Sequence, residues 1–258
     1  ESTEKLIEIV HALSDENIDF SMLGKGSNTL ISDGICSIVL ISTRALDGVK
    51  TDGNFAVCRC GTPISKVISE GRKRGLGGLE FLSGVPCSIG GAVKMNAGAF
   101  GAQIGDYIHK MRVLNLDCVN KSKIVVQEIN AEDLSFAYRR GVDGIVLDAE
   151  LKLDEKSAEK SINDAKRYIS FRRKKQPNLP SLGSVFKNGS EASGKLIENC
   201  ALKGEKRGGA RISEKHANFI VNEGGASAED YLYLVELCKK RVYENAGVLL
   251  EEEFVLIK

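Results

Sequence analysis

A glycine-rich apolar stretch at residues 77–105, GGLEFLSGVPCSIGGAVKMNAGAFGAQIG, constrains the fold of this chain more than any other feature. It is apolar enough for a core, but it carries too many glycines for an ordinary helix or strand. Gly90 and Gly91 allow another chemical group to lie against the main chain, and Pro86 stiffens the approach to them. The stretch predicts either a bed for a wide, flat, partly polar ligand or tight helix packing through small residues.

A second glycine turn lies upstream, in LGKGSNTLISD at residues 23–33. Gly24 and Gly26 permit a tight turn that exposes consecutive backbone N–H groups, and Ser27 and Asn28 add short polar side chains. Such a turn suits a diphosphate, and a plain hairpin turn is the alternative. The spacing does not match G-x-G-x-x-G and no helix clearly follows, so a nicotinamide-binding Rossmann site is not supported.

Composition indicates an ordinary soluble protein of one or two domains. The chain has 258 residues, of which 42% are hydrophobic and 28% charged, and a formal net charge of +1. Bulk charge therefore gives no reason to expect a nucleic-acid or membrane partner. The seven cysteines are scattered, which favours free thiols in a reducing cytoplasm. Cys58 and Cys60 lack further ligands for zinc, so no metal is expected.

Strand and helix patterns mix without a regular βαβ rhythm, which predicts an α+β fold. Composition shifts near residue 155, where a charged helix begins. Residues 227–247, SAEDYLYLVELCKKRVYENAG, predict an amphipathic helix with an acidic first turn, a basic last turn and Gly247 as its end. LLEEEFVLI, at residues 249–257, is predicted to form a closing strand.

Three further segments offer chemistry, each with a simpler alternative. Arg139 follows Tyr138, and an arginine beside an aromatic ring suits a carboxylate, although a solvated strand-end arginine is more common. Ser184 lies on a glycine turn in PSLGSVFKN that is not G-x-S-x-G, so a hydrolase elbow does not follow, and a routine loop serine is the alternative. GGARISEKHANFIVN offers cationic side chains, and EEEFVLI offers glutamates that are usually solvated.

Taken together and in this order, these motifs resemble the MurB family of flavoproteins, the UDP-N-acetylenolpyruvoylglucosamine reductases of peptidoglycan synthesis. The resemblance runs from about Leu23 to Ile257, with GLEFLSGVPCSIGGAVKMNAGAFG as its most specific piece and KQPNLPSLGSVFKN and KHANFIVN nearly as specific. The spacing is similar to the shorter, type II class. It implies an FAD-binding domain of the vanillyl-alcohol-oxidase/MurB type at residues 1–160. A smaller α+β substrate domain is expected at 161–258, with a terminal strand at about 249–258 returning towards the active site.

The resemblance also implies the reaction. NADPH reduces UDP-N-acetylglucosamine enolpyruvate to UDP-N-acetylmuramate, with the hydride passing through FAD. No histidine lies near the first glycine turn, so the FAD is expected to be non-covalent. Arg139 is expected to bind the substrate carboxylate, and Ser184 to deliver the proton. Glu253 is expected to act as a protonated carboxyl, with Glu252 as a neighbour that could be confused with it.

The family pattern assigns further residues. Cofactor binding is expected from Gly24, Lys25, Gly26, Ser27, Asn28, Thr29, Leu30, Gly84, Pro86, Ser88, Ile89, Gly90, Gly91, Ala92, Asn96, Ala97, Gly98, Gly101 and Ile145. Substrate binding is expected from Lys175, Lys187, Asn188, Arg211, His216 and Asn218. The chain departs from that pattern at several positions. Cys87 replaces a usual glycine, Gly141 a common serine, Gly189 and Glu252 a proline each, and Phe254-Val255 a valine-arginine pair.

The alternatives are another FAD-dependent sugar or lactone oxidoreductase of the same fold, a non-catalytic nucleotide-binding protein and an RNA-binding protein. The Ser184 loop and KHANFIVN argue against the first. The presence of Arg139, Ser184 and Glu253 together argues against the second. Balanced charge argues against the third. A cytoplasmic monomer without a membrane or nucleic-acid partner is expected.

Overall fold

The computed structural model describes residues 2–116 and 124–258 and divides them into two compact units. Unit 1 comprises the chain up to Lys25 and Ile38–Ser170, and unit 2 comprises Gly26–Ser37 and Phe171–Lys258. Cys118, one of the seven cysteines, lies outside the described residues. The sequence-based boundary between residues 160 and 161 stays a prediction.

The described residues form six α-helices and three short 3₁₀ turns. In chain order they are α1 (Thr3–Asp15), α2 (Ile64–Lys73), α3 (Ile89–Lys94), α4 (Ala158–Lys175), α5 (Ser193–Asn199) and α6 (Ala228–Ala246), with 3₁₀ turns at Leu79–Leu82, Ile104–Tyr107 and Ala131–Asp133. A capping box of Ser227 and Asp230 starts α6, and Gly247 ends it with φ 66°. The expected basic last turn of α6 is wrong, because that turn carries no basic residue. No helix in the described residues is long and apolar enough to span a membrane.

The strands are short outside one sheet. They are β1 (Phe20–Leu23), β2 (Thr29–Ile31), β3 (Val39–Ser42), β4 (Val49–Asp52), β5 (Phe55–Arg59), β6 (Leu76–Gly77), β7 (Gly98–Ala99), β8 (Ala102–Gln103), β9 (Ile108–Leu116), β10 (Ile124–Asn130), β11 (Ile145–Lys152), β12 (Asp154–Glu155), β13 (Lys206–Arg207), β14 (Ala210–Ile212), β15 (Ile220–Asn222) and β16 (Val255–Ile257). The mixture of these strands with the helices confirms the α+β class.

Unit 1 is built on an antiparallel sheet of order β10-β9-β11-β5-β4. Six of the eight residues of the central strand β11 are buried. Helices α2 and α3 pack on this sheet, and their apolar faces join the buried core with Val67, Ile89 and Leu147. The parallel pair β1 and β3 leads into the first glycine turn. The sheet and this pair thus position Gly24, Lys25 and the stretch at residues 77–105 within unit 1.

Unit 2 has its own core. The sheet β13-β14-β15 packs against α6, and Leu234, Val235 and Ile212 are fully buried between them. The segment 26–37 belongs to this unit because β2 pairs in parallel with β16. Asp33 also accepts the first backbone N–H groups of α6, from Ala228 at 3.1 Å and Glu229 at 3.0 Å, and these bonds lower the pKa of Asp33. The expected closing strand is shorter than predicted and begins only at Val255.

Candidate functional site

The bare backbone at Gly90 has a packing reason. A Cβ atom on Gly90 would lie 2.9 Å from the Cβ of Cys60, and the Gly90 N–H donates to the Cys60 carbonyl at 2.7 Å. The neighbouring Ile89 N–H donates to the carbonyl of Thr62 at 2.9 Å. Cys87, which replaces a glycine of the family pattern, accepts the N–H of Ile64 at 3.2 Å. Gly90 is therefore needed for helix α3 to pack onto the end of β5. This agrees with the alternative interpretation of the stretch, tight helix packing through small residues.

A second part of the signal fits a ligand, at the Ser88 site (Ser88, Gly24 and Gly91). Cβ atoms on Gly24 and Gly91 would lie 2.7 Å and 3.6 Å from the Ser88 hydroxyl oxygen. Ser88 is 2% exposed, and its hydroxyl has no hydrogen-bond partner in the described part of the chain. A buried hydroxyl without a partner is costly unless a bound group or water satisfies it. The Ser88 hydroxyl itself takes the space beside Gly24, so the unsatisfied hydroxyl is the feature that fits a phosphate oxygen of a bound dinucleotide such as FAD.

The remaining predicted cofactor residues divide between the two units. Gly24, Lys25 and the residues from Gly84 to Ile145 lie in unit 1, whereas Gly26 to Leu30 lie in unit 2. Gly101 has φ 83° and open space where a Cβ would stand. Ile145 is a core residue of β11. These assignments stay predictions.

Asn96 fixes the turn that carries Arg139. Its amide nitrogen donates to the side-chain oxygen of Gln103 at 2.8 Å and to the carbonyl of Ala137 at 3.0 Å, and its oxygen accepts the N–H of Gly105 at 3.1 Å. Both amide hydrogens are thereby used within the protein. The predicted cofactor role of Asn96 stays a prediction for its backbone, while its side chain joins two segments of unit 1.

Arg139 lies at the tip of a tight turn in which Ala137 and Arg140 exchange backbone hydrogen bonds of 2.9 Å and 3.1 Å. Its φ of 57° is in the left-handed region that non-glycine residues rarely adopt. The guanidinium donates to the Gly98 carbonyl at 3.2 Å and lies 5.1 Å from the Tyr138 ring centroid. Surrounding contacts therefore impose this backbone conformation and direct the guanidinium towards the hairpin of β7 and β8.

Close packing explains why glycine stands at position 141, where the family pattern commonly has a serine. Its N–H donates to the Lys94 carbonyl at 3.0 Å, and a Cβ atom there would lie 1.8 Å from the Val93 carbonyl oxygen. No side chain fits at that distance. The glycine lets the Arg139 turn lie directly against the end of helix α3.

Ser184 lies between a glycine in the left-handed conformation and a segment that is hydrogen-bonded to Asn218. Gly183 before it has φ 84°, which glycine adopts without strain. After it, Val185 donates to the Asn218 carbonyl at 2.9 Å. The Asn218 side chain accepts the Phe186 N–H at 2.9 Å and donates to the Phe186 carbonyl at 2.8 Å. Asn218, expected to bind substrate, thus uses its amide on the segment that follows Ser184.

Glu253 lies beside the same segment. Phe186 forms an isolated antiparallel bridge with Glu252, and the Glu253 N–H donates to the Val185 carbonyl at 2.8 Å. Val185 is therefore opposite Glu253, and Ser184 is the next residue along. Glu252 forms an ion pair with Lys239. Glu252 is therefore occupied by an ion pair within unit 2, and the role expected of Glu253 stays a prediction.

The predicted substrate residues of unit 2 are largely paired within the protein. Lys187 forms an ion pair with Glu251, and Arg211 lies 2.6 Å from Glu223. Asn188 accepts the N–H of Ser193 at 3.1 Å. Lys175 is the last residue of α4 and is exposed. Their roles towards a substrate stay predictions, and binding through Lys187 or Arg211 would compete with these ion pairs.

His216 is a neutral acceptor in this unit. Burial lowers the pKa of His216, and the nearby Lys203 lowers it further. Its Nδ1 accepts the Asn218 N–H at 3.2 Å, and its ring contacts Phe219 with centroids 4.9 Å apart. His216 thereby supports the residue whose side chain fixes the segment after Ser184.

The sequence patterns did not predict a buried ion pair at Glu80, within the glycine-rich stretch 77–105. Glu80, which is 1% exposed, accepts hydrogen bonds from Lys156 at 2.9 Å and Ser161 at 2.7 Å. Burial alone would raise the pKa of Glu80, but the bonds from Ser161, Lys156 and the Gly78 N–H outweigh it and lower the pKa. The signal was available, since a lone acid in the apolar run GLEFL needs a buried partner.

The α+β fold and the Ser88 site fit a flavin-binding protein, and comparisons with known proteins show that class. Residues 1–119 match the FAD binding domain family, and residues 175–257 match the family "UDP-N-acetylenolpyruvoylglucosamine reductase, C-terminal domain". The reductase of that name from Caldicellulosiruptor bescii is 41% identical over 99% of this chain and 82% of its own length. The Bacillus subtilis reductase is 34% identical over 99% of this chain and 85% of its own length.

A solved structure gives the same result. The crystal structure of UDP-N-acetylenolpyruvylglucosamine reductase (MurB) from Thermus caldophilus matches with a TM-score of 0.82 and 33% identity, over 100% of this chain and 90% of that one. The chain therefore belongs to the UDP-N-acetylenolpyruvoylglucosamine reductase (MurB) family. It is an FAD-dependent oxidoreductase with NADPH as co-substrate, as expected from the motifs.

Proposed function

We propose that Ser184, Arg139 and Glu253 carry out the proton transfer and charge stabilisation in the NADPH-dependent reduction that this chain performs on UDP-N-acetylglucosamine enolpyruvate. The matches of residues 175–257 to the MurB C-terminal domain and of nearly the whole chain to named reductases support this reaction. They do not favour another sugar or lactone oxidoreductase. When bound, FAD supplies the hydride that NADPH provides. The residues of the chain bind the substrate carboxylate, deliver the proton and stabilise the developing negative charge.

The reaction adds a hydride to the terminal CH₂ of the enolpyruvyl group and a proton to the neighbouring carbon. Negative charge builds up on the second carbon and its carboxylate until the proton arrives, so the chain must supply positive charge and a proton donor. Arg139 is the proposed cation, since a guanidinium matches a carboxylate in a two-point contact. Its imposed left-handed backbone and the Gly98 contact fix that side chain before substrate arrives.

Ser184 is the proposed proton donor, and this role requires its hydroxyl to be held close to the substrate carbon. The segment that follows it is fixed by three hydrogen bonds to Asn218, while Gly183 allows the sharp approach. The hydroxyl transfers its proton to the substrate carbon, and solvent then replaces that proton. The adjacent Glu253 is proposed to stabilise the developing enolate. The single observation that supports the assignment is the antiparallel register, in which Val185 lies opposite Glu253 and Ser184 is the next residue.

The test uses Ser184→Ala with the exposed Ser190→Ala of the same loop as matched control. Both purified proteins should carry FAD and be bleached by NADPH at the same rate. Reoxidation by the enolpyruvyl sugar should slow about 10²–10⁴-fold in Ser184→Ala only, the usual effect of removing a positioned proton donor. A Ser184→Ala protein that reoxidises at the rate of the Ser190→Ala control would overturn the role of Ser184.

We also propose that the protein acts as a cytoplasmic monomer, with NADPH and the UDP-sugar as its partners and without a nucleic-acid or membrane partner. The scattered cysteines of the sequence favour a reducing compartment. Burial raises the pKa of Cys58 to about 12 and of Cys60 to about 11, so these two stay protonated thiols. Sedimentation equilibrium and cell fractionation test the two proposals, and a dimer or a membrane-fraction signal would contradict them.

A further inference from the structure

Asn28 belongs to the first glycine turn but bonds to the candidate catalytic segment. Its side-chain nitrogen Nδ2 donates to the main-chain oxygen of Glu253 at 3.0 Å, and its own carbonyl accepts the Val255 N–H at 2.9 Å. We propose that Asn28 is a positioning residue for Glu253 during the reduction. The proposal rests on the role proposed above for Glu253.

The side chain of Asn28 supplies a hydrogen bond to the Glu253 carbonyl that a paired strand backbone would otherwise supply. The parallel pairing of β2 with β16 begins at Thr29 and Val255. Glu253 lies two residues before that pairing, where the backbone ladder has not yet begun. A carbonyl oxygen can only accept, so the amide nitrogen of Asn28, and not its oxygen, must face Glu253. The amide thereby extends the hydrogen bonding beyond the end of the strand.

Glu253 is consequently fixed through both of its backbone polar groups. Its N–H donates to the Val185 carbonyl at 2.8 Å, beside Ser184, and its carbonyl accepts from Asn28. The next residue, Phe254, is buried with its ring 5.3 Å from that of Tyr231. Loss of the Asn28 amide would leave the Phe254 packing and the Val255 bond in place. The expected result is a misdirected Glu253 carboxyl in a folded protein.

This arrangement separates two roles for Asn28. A cofactor contact through the side chain predicts that Asn28 variants bind FAD more weakly and regain normal rates at saturating FAD. A positioning role predicts slow reoxidation by the sugar at saturating FAD, with normal bleaching by NADPH, because Glu253 acts only on the enolpyruvyl group. The backbone of Asn28 remains in the turn under either role.

The experiment measures both half-reactions in FAD-saturated Asn28→Ala and Asn28→Asp. Asn28→Asp preserves the shape but turns an acceptor oxygen towards the Glu253 carbonyl, so it should be the slower of the two. We expect about tenfold slower reoxidation for Asn28→Ala, the order of effect of a small misplacement of a reacting group. The control is Asn222→Ala, which removes amide contacts to Gly224 and Ala226 on an exposed turn of the same unit. It should react like the unmodified protein.

A double-mutant cycle decides whether Asn28 acts through Glu253. In the Glu253→Ala background, Asn28→Ala should have no further effect on reoxidation. An undiminished tenfold effect in that background would overturn the positioning role alone, as would recovery of the single variant at high FAD. Normal reoxidation in Glu253→Ala itself would overturn the proposed role of Glu253 and this inference together. Melting curves of the holoenzymes identify a variant that does not fold, in which case Asn28→Asp and Asn28→Ala substitute for each other.

Discussion

Replacing Asn218 by alanine should destabilise unit 2 far more than an average surface substitution. The amide of Asn218 makes bonds of 2.9 Å and 2.8 Å to the backbone N–H and carbonyl of Phe186, which is 1% exposed. Asn218→Ala leaves both backbone groups buried and without their partner. Each such group costs about 1–3 kcal/mol, so the two together should lower the free energy of unfolding by about 2–6 kcal/mol.

The matched control is Asn222→Ala, which removes the same side chain from an exposed position where water replaces the lost bonds. It should cost less than about 1 kcal/mol. Because two units need not unfold together, amide hydrogen exchange at Phe186 in the FAD-saturated protein is the direct assay. A loss of 2 kcal/mol corresponds to about thirtyfold faster exchange at that amide. Exchange at Phe186 as slow as in the Asn222→Ala control would refute the reasoning.

Three shorter predictions test other parts of the structure. Gly141→Ala should displace the candidate carboxylate-binding turn, since its Cβ would lie 1.8 Å from the Val93 carbonyl oxygen; an unchanged KM for the enolpyruvyl sugar would contradict this. Lys156→Met should cost about 3 kcal/mol of unfolding free energy, because it leaves Glu80 buried without its cation; urea unfolding should show it, and a cost near zero would be contrary to expectation. Burial lowers the pKa of His216, so the unfolded chain binds a proton at this residue at higher pH than the folded protein does. The free energy of unfolding should therefore decrease as pH falls from about 7 through the folded pKa. His216→Gln should weaken that pH dependence, and an identical pH profile of stability would exclude this contribution of His216.

Local patterns in the sequence were sufficient to predict most elements of the fold. The period and caps of α6 predict its start at Ser227 and its end at Gly247 correctly, because both signals act within one or two turns of the helix. The last turn of α6 and the start of β16 were less accurate, since element ends depend on which residues pack there.

Contacts between distant residues could not be predicted in the same way. For Gly90 the sequence left open room for a ligand or tight packing, and the structure shows that Cys60, thirty positions earlier, lies beside it. The pairing of Glu80 with Lys156 spans 76 positions. Periodicity and turn chemistry report neighbours along the chain, whereas these contacts depend on how the sheet and helices pack.

The three asparagines of the motifs show what the family pattern leaves open. Asn28, Asn96 and Asn218 were all expected to contact cofactor or substrate, yet each donates to a backbone carbonyl beside a candidate catalytic segment. Those segments are short turns or isolated bridges with few ladder bonds of their own, so a side-chain amide supplies the missing bond. An amide has two hydrogens to donate, and Asn96 uses both of them within the protein. A family motif can therefore require an asparagine that does not touch the ligand, because the asparagine side chain positions the neighbouring residue.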